Sequence, residues 1–236
     1  MSLSLLYEKY IPINDKIKII IPSVRDIMKS EENYYSMVSC VTAMPIDMMC
    51  QLDDIGIDFT TIDAYELFLI LFHGLCKDDT SLLFGDLDLK KFEMAINEQN
   101  NNIILLDREN DIVIDKAIHD RMATILREIH GIEKNIKKPA NEQARAYMIE
   151  RARAKMRRNK NKKQKSQLEP LIISMVCAEQ YKYDFDSTLD LSIYQFNECV
   201  KQITRKVAYD NRMIGVYAGT VNAKELSRDD LNWLVH

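Results

Sequence analysis

Apolar residues recur at helical spacing through most of the chain. Between Glu31 and Met44, Tyr34, Tyr35, Met37, Val38 and Val41 fall three and four apart, which predicts a helix. Ser23 is placed to cap an earlier helix starting at Val24, and Pro45 sits where another begins, over Ile46–Ile55, ended by Gly56. Asp63 is placed to cap the run AYELFLILFHGL. Its Tyr65, Leu67, Phe68, Leu69, Leu71, Phe72 and Leu75 leave almost no polar side, so this helix belongs at the centre of a core. Leu87–Asn97 carries Leu89, Phe92 and Ile96 on one face and reads as a further short helix. Lys116–Ile132 reads as a longer one, with Ile118, Met122, Ile125, Leu126 and Ile129 as its inward stripe. Nearer the C-terminus, Pro170 opens LIISMVCAEQYKY. Asp186 or Ser187 then caps a helix over Leu189–Val207, with Leu189, Ile193, Phe196, Val200, Ile203 and Val207 at steps of three and four. Tyr209–Tyr217 either extends that helix or forms another. Ser227 and Asp230 mark the start of a closing helix, RDDLNWL, in which Trp233 packs to fasten the end.

Only three stretches carry a β pattern. KIKIII, ending at Pro22, predicts a short strand. Ile103–Asp107 and Ile112–Asp115, around a turn rich in Asn and Asp, predict a hairpin. With six Gly and five Pro in 236 residues, breakers are too few for a many-turned β fold. The predicted class is mainly α: a helical N-terminal domain over residues 1–138 with a hairpin near 103–115, a basic helical connector over 139–167, and a small helical domain over 168–236.

Charge changes the picture at that connector. Lys137 to Lys165 holds twelve Lys or Arg against two acidic residues, a local charge of +10. The whole chain is −4, so the remainder carries −14. Asn141 caps a helix over Glu142–Arg158 whose apolar face is thin: Ala144, Tyr147, Met148 and Ala152. The cations Arg145, Arg151, Arg153, Arg157, Arg158, Lys160, Lys162 and Lys163 are the candidate contact residues, either for an acidic protein partner or for phosphates. One aromatic, Tyr147, gives no stacking series for single strands, which favours a protein partner.

Chemistry is otherwise sparse. The sequence has no HExxH, no paired Cys/His spacing, no Gly-rich phosphate loop and no GxSxG elbow, so neither a metal nor a cofactor is expected and no catalytic residue is assigned. His73, within the apolar helix, is expected as a hydrogen-bonded core residue. The acidic pairs Asp53/Asp54, Asp86/Asp88 and Asp184/Asp186 are expected as caps and turns. Five cysteines without a CxxC are expected as buried thiols of a reducing compartment. The N-terminus lacks a signal-peptide pattern, and the longest apolar run, Leu67–Phe72, is too short for a bilayer. The expectation is a soluble, cytoplasmic protein with no membrane contact.

Three segments carry a resemblance: YQFNE at Tyr194–Glu198, YDNRMIGVYAGTV at Tyr209–Val221 and LNWL at Leu231–Leu234. With MPIDMMCQLDDIGIDF and FGDLDLKKFE in the first part, they resemble proteins encoded in tail-gene clusters of bacteriophages and prophages of Gram-positive bacteria. The resemblance implies a non-enzymatic tail assembly chaperone in the host cytoplasm, binding tape-measure and tail tube proteins, with a homo-oligomer possible. Two alternatives stand beside it. One is a nucleic-acid-binding protein of a mobile element acting through residues 145–165. The other is a structural tail or connector protein of the virion.

Overall fold

A computed structural model describes residues 2–98, 101–159, 165–227 and 229–234. Its elements in chain order are α1 (Ser2–Tyr7), β1 (Tyr10–Pro12), β2 (Lys18–Ile20), α2 (Val24–Met28), α3 (Glu31–Thr42), α4 (Met49–Asp54), α5 (Ala64–Leu75), α6 (Ser81–Phe84), β3 (Glu93–Ile96), β4 (Ile103–Asp107) and β5 (Ile112–Ile114). The remaining helices are α7 (Lys116–His130), α8 (Glu142–Asn159), α9 (Leu168–Val176), α10 (Phe185–Asp190) and α11 (Ile193–Tyr217). The protein is 57% helical, and the described residues form two small sheets of two and three strands, so the fold is mainly α. The chain divides into two compact units, Met1–Pro22 with Asp26–Ser166, and Ser23–Arg25 with Gln167–His236.

In the first unit α3, α5 and α7 pack on one another. Helix α5 starts where it does because of Asp63. Its Oδ1 accepts from the N–H groups of Tyr65 (2.8 Å) and Glu66 (2.9 Å), while Glu66 Oε2 accepts from the Asp63 N–H (2.8 Å). Lys116 Nζ, at the start of α7, lies 2.7 Å from Asp63 Oδ2 and so ties two helix starts together. Asp63→Ala should therefore cost about 1–2 kcal/mol of stability, seen as a lowered urea midpoint with unchanged slope.

The apolar side chains of α5 meet both α7 and the sheet. Phe68 stacks on His119 at 4.5 Å between ring centres, and the Tyr65 hydroxyl donates to the Ile114 carbonyl (2.8 Å). His73, expected in the core, is exposed. It follows Phe72, which turns inward, and so falls on the solvent side; the imidazole in the core is that of His119, which is fully buried. Helix α7 is capped by Asp115, whose Oδ1 accepts from the Ile118 N–H (2.9 Å), and it ends at Gly131. That residue adopts φ 63°, ψ 31°, a left-handed turn that costs a glycine little.

Three further expectations change. Leu87–Asn97 is not a helix: a short 3-10 turn over Leu89–Lys91 leads into strand β3, which pairs antiparallel with β4, Met94 opposite Leu105 and Ile96 opposite Ile103. Pairing with a neighbouring strand outweighs a weak one-faced helical pattern. The strand near Pro22 is shorter than expected and pairs with β1, Tyr10 opposite Ile20. Of the five cysteines, all free, only Cys50 is buried; Cys177 is exposed.

In the second unit α9 packs on α10. The cap is Asp184, whose Oδ1 accepts from the Ser187 N–H (2.8 Å), and it opens the short helix α10. Ser192 then caps α11, a single 25-residue helix that absorbs Tyr209–Tyr217. The Val24 N–H donates to the Leu191 carbonyl (2.9 Å), and Arg25 pairs with Asp190 (2.9 Å). Ser227 and Asp230 do bond one another, Ser227 Oγ donating to Asp230 Oδ2 (2.8 Å). They frame a 3-10 turn, Asp229–Leu231, in place of the expected closing helix.

Candidate interaction surface

The basic run folds as α8, and α8 belongs to the first unit: it packs on α4. The segment expected as a basic helical connector is helical over Glu142–Asn159. The thin apolar face is enough to seat the helix. Ile149 is buried with Ile46, Cys50, Leu52, Phe59 and Leu67, and Met148 and Ala152 flank it. The Cys50 thiol also reaches the Ile149 carbonyl at 3.6 Å.

Ionic contacts supply the rest of the attachment. Arg145 pairs with Asp58. Arg153 Nη2 lies 2.7 Å from Asp53 and 2.5 Å from Asp54. Asp58 is held below the usual carboxylate range, first by the Thr60 backbone N–H and further by Arg145. The acidic pair Asp53/Asp54, expected as a turn, is thus the anchor for Arg153. Asp86 pairs with Lys18 (3.3 Å), and Asp88 caps the turn over Leu89–Lys91.

The eight candidate cations consequently divide. Arg145 and Arg153 fasten the helix to α4 and to the loop after it. Arg151 and Arg157 make no ion pair among the described residues. Arg158 directs its Nε to the Ala154 carbonyl one turn back (3.3 Å). Lys160, Lys162 and Lys163 lie outside the described residues. Lys155, which the charge pattern alone did not single out, joins the unpaired group.

Between α4 and α8 runs an open groove of about 940 Å³. Ile46, Met49, Cys50, Ala152 and Met156 give it an apolar wall, and Lys155 and Arg157 lie on its α8 side. Asp47 and Asp54 also line it, but Asp54 is bound to Arg153, and Asp47 accepts from the Asn135 amide (3.0 Å) and the Met44 N–H (2.9 Å). Methionine side chains are flexible and polarisable, which suits a surface that adapts to a partner's apolar face. A second cleft in this unit, about 980 Å³, is crossed by the pairs Lys16–Asp111, Lys18–Asp86 and Lys91–Glu109, so each of its lysines is engaged.

Among the described residues no group of three or more His, Cys, Asp or Glu is arranged to hold a metal ion, and no helix is long and apolar enough to cross a membrane. Residues 160–236, the last third of the chain, match the model of a family described as the YomV second domain. YomV is a gene product of a Bacillus phage or prophage. Over that stretch the chain is similar to a phage-associated family. The matched stretch contains α9, α10 and α11, whereas the groove and α8 precede it. No curated protein and no solved structure matches the chain.

Proposed function

We propose that this protein is a non-enzymatic phage tail assembly factor that binds a structural protein, tape-measure or tail tube, during tail formation. The observation supporting this reading is the methionine-lined groove between α4 and α8, with Lys155 and Arg157 left unpaired on its border. A groove of that kind takes the apolar face of an amphipathic helix and selects acidic flanks. Long helical structural proteins offer such faces, and the phage association is consistent with such a partner.

The test is co-expression with the tape-measure and tail tube proteins of the same phage, followed by affinity capture at low salt. Capture of one of them is expected. The double variant Lys155→Glu/Arg157→Glu should reduce it by roughly tenfold or more, with the helical circular dichroism signal unchanged. No capture of either protein would sink the reading. Recovery of the protein in purified particles would favour a structural role in the virion.

A second reading has its own observation. Tyr147, Arg151 and Arg158 are exposed along the outward side of α8, four and seven residues apart. A phosphate backbone tracking that stripe would bind with steep salt dependence. A gel shift that vanishes with moderate salt and with Arg151→Ala would move the function to nucleic acid.

A further inference from the structure

The methionine-lined groove does not end at α4. Ile46 and Asn135 line it and also line a second hollow, of about 350 Å³, at the small end of the range for ligand pockets. This pocket lies at the starts of α5 and α7. Pro45, Ile46, Phe59, Ile62 and Tyr65 give it an apolar wall. The segment 132–139, which joins α7 to α8 without a helix or strand, borders it with Ile136. The Ile132 N–H donates to the Arg127 carbonyl (2.9 Å) and the Asn135 amide to Asp47 (3.0 Å), which fixes the path of that segment. Ile136 is 73% exposed, so an apolar side chain stands open at the rim.

Charge at the pocket is one-sided. Lys134, Lys137 and Lys138 line it and make no ion pair among the described residues. Lys116 lines it too but is bound to Asp63 (2.7 Å). Against the three free lysines stands Asp120, which also makes no ion pair among the described residues. Behind the pocket lies Arg127, 8% exposed. Its Nη2 donates to the Thr42 carbonyl (2.5 Å) and lies 3.6 Å from the sulfur of Met44, a lining residue, while its Nε meets no acceptor. Asp120 and Asp47 act on this guanidinium, but neither pairs with it. A buried cation without a carboxylate partner raises the potential of a neighbouring hollow. Helix α8 repeats the sign, since Lys155 and Arg157 border the groove. Free cations thus follow one continuous path, and the acids on its groove part, Asp47 and Asp54, are already bound.

We propose that the pocket receives an apolar anchor from an acidic segment of the partner protein, and that this segment continues into the α4–α8 groove. The inference rests on the groove reading for the partner's identity. An apolar side chain in the pocket would cover Ile136, and carboxylates beside it in sequence would reach Lys134, Lys137 and Lys138. A basic segment would be repelled. A free carboxylate ligand would match the pocket alone; the shared Ile46 and Asn135 select a chain long enough to occupy both.

Isothermal titration with end-blocked peptides tests the pocket without any tail protein. Glu-Glu-Phe-Glu-Glu should bind the full-length protein with a dissociation constant on the order of 100 µM. Binding should weaken by roughly tenfold or more when Gly replaces the Phe, or when the protein carries Lys134→Glu/Lys137→Glu/Lys138→Glu. Those lysines are exposed, so the helical signal should be unchanged. Lys155→Glu/Arg157→Glu should leave pentapeptide binding within about twofold. No binding at about 2 mM, equal binding of Lys-Lys-Phe-Lys-Lys, or loss with the groove variant alone overturns the proposal. In capture with the tail proteins the triple lysine variant should lose roughly tenfold, as the groove variant does. Capture that the triple variant leaves untouched overturns the continuous path. Peptide binding as expected, with neither tail protein captured, supports the pocket and sinks only the tail reading.

Discussion

Moving from pH 7 to pH 4.5 should remove several kcal/mol of stability from the first unit, before most carboxylates titrate. Two imidazoles are responsible. His119 is fully buried against Phe68 and Tyr65, with Asp63, Asp120 and Arg127 as the charges that act on it; burial pulls its pKa down to about 4. In its neutral form Nε2–H donates to the Val41 carbonyl at 3.1 Å. His130 is also held near 4 by burial, between the rings of Tyr34 and Tyr35. Its Nε2 accepts from the Tyr34 hydroxyl (2.9 Å), which burial, and then Tyr35, keeps protonated.

An unfolded histidine binds its proton near pH 6.5. Between about 6.5 and 4 the unfolded chain therefore holds more protons than the folded one, and stability falls as pH falls. Each histidine contributes about 3 kcal/mol to that loss. Asp58, Asp63 and Asp107 have pKa values lowered by their hydrogen bonds and ion pairs, so their contribution is lost only below about pH 4. Urea midpoints at pH 7, 5.5 and 4.5 should show the decline, and His130→Gln, which retains an acceptor for Tyr34, should flatten it by about half. A flat profile in the parent protein would mean that neither imidazole is buried as described.

Phe68→Ala should cost about 3–5 kcal/mol. The ring is 1% exposed, stacks on His119 and meets Phe72 edge-on at 5.8 Å, so its removal leaves a cavity bounded by α5 and α7. Small domains have stabilities of roughly 5–15 kcal/mol, and a loss of this size would bring the first unit near its unfolding threshold. Ile70 lies on the same helix at 40% exposure, and Ile70→Ala should cost less than about 1 kcal/mol. If the two variants unfold at the same urea concentration, α5 is not the centre of the core.

How much of the fold is legible in the sequence depends on the reach of each interaction. Helices α5 and α7 are legible because cap, stripe and stop all lie within a few residues of each other. Strand β3 is not, because what makes Glu93–Ile96 extended is its partner at Ile103–Leu106. The strand at Tyr10–Pro12 escapes for the same reason: three residues carry no period, and its partner lies across a loop. The basic run announces itself by composition. Its attachment does not, since Asp53, Asp54 and Asp58 precede their arginines by 87 to 100 residues. The groove wall is likewise invisible, being assembled from Met49 on one segment and Met156 on another.

The separation between Asp53/Asp54 and Arg153 also bears on how the molecule is made. Ribosomes deliver the N-terminal part first, so α4 emerges with an acidic corner and an oily strip long before α8 is translated. Through that interval the nascent polypeptide presents a bare platform to its surroundings, and the later arrival of Arg153 and Ile149 both neutralises and shelters it. Completion of the groove is thus one of the last events in the biogenesis of the first unit, which delays recruitment of any ligand needing both walls until translation has passed residue 157.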